Sequence, residues 1–238
     1  QEDVARAFRR YDLTQMPVVD GEGRLVGIIT ADDVMDVIQQ ENTEDMERMA
    51  AMAPSEKPYL KTSPFALAKK RIVWLLVLMI SATFTGGIIN GFQEVLSSVV
   101  VLAAFIPMLM DTGGNCGSQS STLVIRGLAL GEIRPRDALR VLNKELAVSL
   151  LCGAALAAVN FGRILLFEPQ TGAAVALAVS LSLLVTVMVS KCLGGLLPIA
   201  AKAVHLDPAV MASPLITTVV DAVSLLVYFG FARAILGI

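Results

Sequence analysis

Histidine is all but missing from these 238 residues, cysteine is scarce, and charge of either sign is thin. The single His205 has no second histidine within helical reach, which excludes an HExxH zinc-hydrolase site and leaves it as an interfacial residue at a helix end. Cys116, Cys152 and Cys192 fall inside apolar stretches at no spacing that suits a zinc site or a secreted disulfide framework, so all three are expected to pack as small apolar groups. Charged residues make up 17% of the chain, against about 25% in soluble domains. The net charge of −2 offers no basic stripe, so no nucleic-acid partner is expected. No Gly-rich phosphate loop of an ATPase motor is present. No charged-then-apolar signal peptide opens the chain, and Gln1 in place of Met leads us to expect a piece of something longer.

What the chain has in excess is oil. Hydrophobic residues reach 55% and the mean hydropathy is +0.69, too high for an ordinary soluble domain. Twelve of the 21 acidic residues lie in the first 53 positions, so an acidic soluble head is expected to precede a helical membrane body.

In the head, residues 2–10 place Val4, Ala5 and Phe8 on one helical face. Residues 16–20 and 24–30, joined by Gly-Glu-Gly, read as a β-hairpin. Thr30 then caps a helix with Asp33 at the third position of a capping box, and that helix, Ala31 to Gln40, is expected to bury Val34, Val37 and Ile38. The order helix, strand, strand, helix with "MPVVD…GRLVGIITADDV" resembles the second half of a CBS-domain pair. That resemblance implies a nucleotide contact at Thr30 and Asp33, beside the plain reading of both as a helix cap. It also implies a partner repeat upstream.

From Asp32 to Glu47 seven acidic residues stand against no basic one. Glu41, Glu44 and Asp45 share one helix face, where like charges repel. Either the face is simply solvated, or carboxylate oxygens gather a divalent cation that relieves the repulsion. Pro54, Pro58 and Pro64 then form a short linker, closed by Lys69-Lys70-Arg71 at a membrane boundary. The expected domains are a CBS half over 1–40, an acidic connecting helix and linker over 41–71, and a membrane domain over 72–238.

Five apolar segments, about 72–93, 97–125, 142–167, 171–201 and 208–233, each approach or exceed the roughly 20 residues that span a bilayer. Arg126, Arg134, Arg136, Arg140 and Lys144 crowd the second connection, so the positive-inside rule puts the head in the cytoplasm and the C-terminus outside. An odd span count disfavours an internal inverted repeat, so a symmetric pathway would come from pairing two copies. The second segment carries a Gly-rich polar stretch, Asp111 to Thr122, in which Gly113, Gly114 and Gly117 let backbones approach or the helix open. Asn115, Ser118, Gln119 and Thr122 supply oxygens there. A small-residue packing seam is the other reading. In the fifth segment Asp221 is the one charge between Asp207 and Arg233. A charge at that depth costs about 2.5–3.5 kcal/mol on the translocon scale and marks an ion or proton path. Pro214, Thr217 and Thr218 share its helix face, which we place on a pore. An intramembrane enzyme is disfavoured: Ser213 and Asp221 stand about two turns apart with no membrane histidine.

With "TEDMERM" (43–49), "GGIINGFQEVL" (86–96), "PMLMDTGGNCGSQSSTLVIRGLA" (107–129) and "LDPAVMASPLITTVVDAVSLLVYF" (206–229), nearly the whole chain resembles the MgtE family of bacterial magnesium channels. The resemblance implies a homodimer in the plasma membrane, with a pore on its two-fold axis and cytosolic magnesium sensing. Asp221 matches the selectivity aspartate. Thr122 and Thr217 match pore positions, with Asn115, Ser118 and Ser213 beside them. Glu2, Asp12, Asp33, Asp36, Glu41, Glu44 and Asp45 match acidic positions that gather regulatory Mg²⁺, and a complete CBS pair would take ATP. Ser118 and Ser213 depart from the Asn of the best-known members, which shortens the reach of the polar constriction. Mg²⁺ sheds inner water reluctantly, so two Asp221 carboxylates across the axis would hold it through its waters. Inward flux and closure by Mg²⁺ bridging of the acidic head follow. A secondary Mg²⁺ or Co²⁺ transporter coupled to H⁺ or Na⁺ would use the same Asp221.

Overall fold

The structure is a computed structural model that describes residues 1–55, 58–211 and 213–237, with the side chains of Glu2 and Ser213 outside the description. The head opens with helix α1, Glu2–Tyr11, which ends where Asp12 turns left-handed at φ 50°. Strands β1, Gln15–Val19, and β2, Leu25–Thr30, pair antiparallel, with Gln15 opposite Thr30. Asp20 closes the turn between them by accepting from the N–H groups of Glu22 and Arg24 at 3.0 and 2.9 Å. The Arg24 bonds, backbone first, hold its carboxyl below the usual range. Helix α1 packs on α2, Ala31–Met49, through buried Phe8 and Val34.

Helix α2 departs from expectation in two ways. It runs unbroken through position 40, because no Gly or Pro interrupts residues 31–49, so the head and the acidic connecting helix share one rod. Of its expected core positions Val34 is buried and Val37 half-buried, whereas Ile38 is exposed.

Helix α3, Pro64–Gly91, begins eight residues before the expected span. Pro64 starts it where no N–H is needed, Ser63 Oγ accepts from the Ala66 N–H at 3.3 Å, and Lys69, Lys70 and Arg71 lie within its second turn. The next segment is not one helix. A short α4, Gln93–Ser98, and a 3-10 turn, Val100–Phe105, precede α5, Ile106–Ala129, whose first turn holds Pro107, where a proline costs no helical hydrogen bond. The buried Tyr228 hydroxyl donates to the Leu102 carbonyl at 2.9 Å, satisfying a backbone group that the irregular turn leaves open. Helices α6, Ala138–Phe167, α7, Ala173–Ala203, and α8, Ser213–Leu236, complete the body. Among the described residues five helical segments are long and apolar enough to cross a membrane, as expected.

Helix α7 is central, packed against α5, α6 and α8, while α3 lies at the edge against α8. Leu109, Val179, Val187, Leu225, Tyr228 and Phe229 form the heart of the core. Cys116 is buried and Cys192 half-buried, but Cys152 is exposed on the outer face of α6 and is no core group. The head sits at the end of the body where α5 and α7 finish. There the Ala53 N–H bonds the Lys70 carbonyl at 3.2 Å, and Arg48 pairs with both Glu44 and Asp207. His205, at φ 61°, lies just past the end of α7, the helix-end position expected of it.

Candidate functional site

Helix α5 has two faces of opposite character. Gly113, Gly114 and Gly117 are buried, and a Cβ on them would meet Val220, Thr217 and Ile216 of α8 at 2.8, 2.9 and 2.7 Å. The glycines therefore admit α8 and do not open the helix, which is continuous from Ile106 to Ala129. On the other face Asp111, Asn115, Gln119 and Thr122 are exposed at three- and four-residue steps, with Ser118 half-exposed beside them. Asn115 Nδ2 donates to Asp111 Oδ2 at 3.1 Å, which leaves the Asn115 carbonyl oxygen to face outward.

Helix α8 brings its own polar stripe alongside. Pro214, Thr217, Thr218 and Asp221 are all half-buried. The hydroxyls of Thr217 and Thr218 both donate to the Pro214 carbonyl at 3.0 Å, so each presents its oxygen as an acceptor. Ser213 has its side chain outside the described residues. The carboxylates of Asp221 and Asp111 lie within electrostatic range of each other. Asp111 is the acidic partner that the sequence reading passes over, although its four-residue step from Asn115 is the signal that finds it.

A second layer lies behind α5. Ser120 Oγ donates to Glu145 Oε2 of α6 at 2.6 Å, and the ammonium of Lys191 on α7, which is 5% exposed, reaches Gln119 Oε1 at 3.5 Å. Reading the spans one at a time assigns neither Glu145 nor Lys191, because only packing shows that both face α5.

The acidic positions of the head do not converge. Among the described residues no group of three His, Cys, Asp or Glu side chains comes together to hold a metal. Asp12 is exposed at the end of α1, and the Glu2 side chain lies outside the described residues. Asp33 Oδ2 accepts from Thr30 Oγ1 at 2.6 Å and Thr30 N–H at 3.0 Å; these bonds, the hydroxyl first, hold its carboxyl below the usual range. Thr30 and Asp33 thus serve each other as a helix cap. Asp36 lines a groove with Glu44, Glu47 and Pro54. Glu41, Glu44 and Asp45 border a cleft with Arg48, Lys202, His205 and Asp207. Arg48, one turn on from Glu44 and just beyond the run that holds no basic residue, supplies an opposite charge to this face, and its bond to Asp207 holds the guanidinium pKa up.

A family model for a divalent cation transporter, MgtE, matches residues 106–231, which include both polar stripes. The chain belongs to the MgtE family. A CBS-domain model matches residues 1–40. Among proteins similar to it, the magnesium transporter MgtE of Thermus thermophilus is 40% identical over 99% of this chain and 52% of its own length. The magnesium transporter MgtE of Bacillus subtilis is 37% identical over 98% of the chain and 51% of its own length. The chain thus spans about half the length of the curated MgtE relatives it matches. With an MgtE match and five candidate spans, it is a membrane protein of a transporter family.

Proposed function

We propose that this chain carries Mg²⁺ inward across the bacterial plasma membrane, through a pore formed on the two-fold axis of a homodimer. The observation that carries this reading is the exposed polar face of α5, Asp111 to Thr122, lying beside Asp221 within the membrane body. A row of carboxylate, amide and hydroxyl groups cannot face hydrocarbon, so it faces water and a second copy of itself. Mg²⁺ keeps several of its waters, and hydration waters point hydrogens outward toward acceptors. Asp221, Asp111 and the threonine oxygens are such acceptors, and two copies of Asp221 would match the charge of one divalent ion.

The head would gate this path. Helix α2 is one rod, tied by Arg48 to Asp207, six residues before α8 begins. Mg²⁺ collecting beside Glu41, Glu44 and Asp45, in the cleft they share with Arg48, Lys202 and Asp207, would add to the Arg48–Asp207 tie that holds the rod against the body, and its loss would leave that tie alone against the remaining acidic charge. The deciding experiment is Mg²⁺ uptake into proteoliposomes by the native protein, Asp221→Asn and Asp221→Ala. Both substitutions are expected to abolish uptake while the protein stays folded. Normal uptake by either would remove Asp221 from the path, and saturating uptake that needs a counter-gradient of H⁺ or Na⁺ would replace the channel by a coupled transporter.

A further inference from the structure

Lys191 has no role in the conduction path just described, yet it is the one charged side chain between Ala173 and Lys202. It lies in the most buried of the five spans and is itself 5% exposed. Among the described residues it makes no salt bridge. The Glu145 carboxylate lies in the same layer, bonded to Ser120 and packed on Gly195 one turn from Lys191, but closes no ion pair with it, so the ammonium depends on a polar partner inside the membrane. The partner is Gln119, whose oxygen Oε1 lies 3.5 Å from the Lys191 ammonium. An ammonium has only donors, so the Gln119 oxygen must be the atom that faces it, and the planar carboxamide then turns its NH₂ group away from Lys191.

Gln119 belongs to the exposed stripe of α5, eight residues from Asp111, or about 12 Å along the helix axis. It stands on the side of Asp111 nearer the head, since Ile125, Leu128 and Leu130 at the end of α5 share a cavity with Arg6, Glu41 and Asp45. The stripe therefore changes character along its length, from acceptors at Asp111 and Asn115 to a donor amide at Gln119, oriented by the ammonium behind it.

We propose that Lys191 is a positioning residue of the conduit: its ammonium holds the Gln119 carboxamide donor-outward, so that this level turns an N–H face, and no acceptor oxygen, toward the waters of a hydrated divalent cation. The proposal rests on the reading of the α5 stripe as the path of Mg²⁺. Conduction needs binding strong enough to admit the ion and weak enough to release it, and a level that offers a donor in place of an acceptor after the acidic level supplies the release.

The test is the concentration dependence of Mg²⁺ uptake by the native protein, Lys191→Arg, Lys191→Met and Lys191→Gln, with Asp221→Asn run alongside. The neutral variants are expected to lower the half-saturating Mg²⁺ concentration on the order of tenfold and to lower the maximal rate, while Lys191→Arg retains both native values. Folded neutral variants with native half-saturation and rate would overturn the proposal. So would loss of folded protein in both neutral variants, which assigns Lys191 to packing. Native uptake by Asp221→Asn would instead defeat the underlying reading of the path, whatever the Lys191 variants do.

Discussion

Asp221 stands in a helix with no other charge between Asp207 and Arg233, and isolation of that kind is what makes a single carboxylate readable in a sequence. Asp111 lacks the same isolation: it opens a polar run, and its significance comes from α5 meeting α8 so closely that Gly114 has no room for a Cβ beside Thr217. Two carboxylates in electrostatic range should act on the same ion. Asp111→Asn keeps an acceptor for Asn115 and removes one charge, so on the proposed path the half-saturating Mg²⁺ concentration should rise by roughly threefold to tenfold without loss of uptake. The measurement is Mg²⁺ uptake across a concentration series; an unchanged curve would place Asp111 outside the field that the ion senses. Thr30 and Asp33 show the converse case. Their four-residue pattern is compatible with a ligand contact and with a cap, and the bond from the Thr30 N–H to Asp33 Oδ2, beside that from the Thr30 hydroxyl, is that of a cap.

At the scale of elements, local chemistry is legible and long-range packing is not. The hairpin follows from two β-branched runs around Gly-Glu-Gly, and α1 from the spacing of Val4, Ala5 and Phe8. Pro64 is legible as punctuation, but a proline can end one segment or begin the next, and only the Ser63 cap decides that it begins α3. Hydropathy runs across Val99 to Phe105 as if they were helical, because the 3-10 turn there is as apolar as the spans around it. The close crossing of α5 and α7 is equally hidden, since it needs Gly117 and Gly194 together. A Cβ on Gly194 would lie 2.2 Å from the Gly117 carbonyl oxygen, a backbone atom that cannot rotate aside. Gly194→Ala should therefore destabilise the protein by about 1–3 kcal/mol, the range for overpacking. Gly86→Ala, with nothing within 4 Å of its Cβ, should be neutral or slightly stabilising because alanine favours the helix. Heating the detergent-purified variants and following the folded peak by size exclusion compares the two; equal midpoints would mean that the α5–α7 crossing yields easily.

For the whole molecule, the consequence of these placements is a mechanical connection between the head and the stripe that carries Asp221. Helix α2 ends at Met49, Arg48 in its last turn holds Asp207, and the chain from Asp207 leads through a 3-10 turn directly into α8. At its other end the same rod bears the capped hairpin, so the Arg48 guanidinium is the charged link, beside the packing of α2 on the 3-10 turn, by which a displacement of the head can reach α8. Arg48 and Asp207 are only partly exposed, at 36% and 27%, and the pair is reinforced by Glu44, which makes it stronger than an isolated surface ion pair but still breakable. On the proposed gating, breaking it with Arg48→Gln should uncouple the head, so that uptake persists at internal Mg²⁺ concentrations at which the native protein is expected to close. Reversing the pair, with Arg48→Asp and Asp207→Arg together, should restore closure, although Asp207→Arg alone abolishes it. The readout is initial uptake of external Mg²⁺ at low and high internal Mg²⁺. If Arg48→Gln closes as the native protein does, the head acts on α8 by another route, through the packing of α2 on the 3-10 turn or the Ala53 to Lys70 junction with α3.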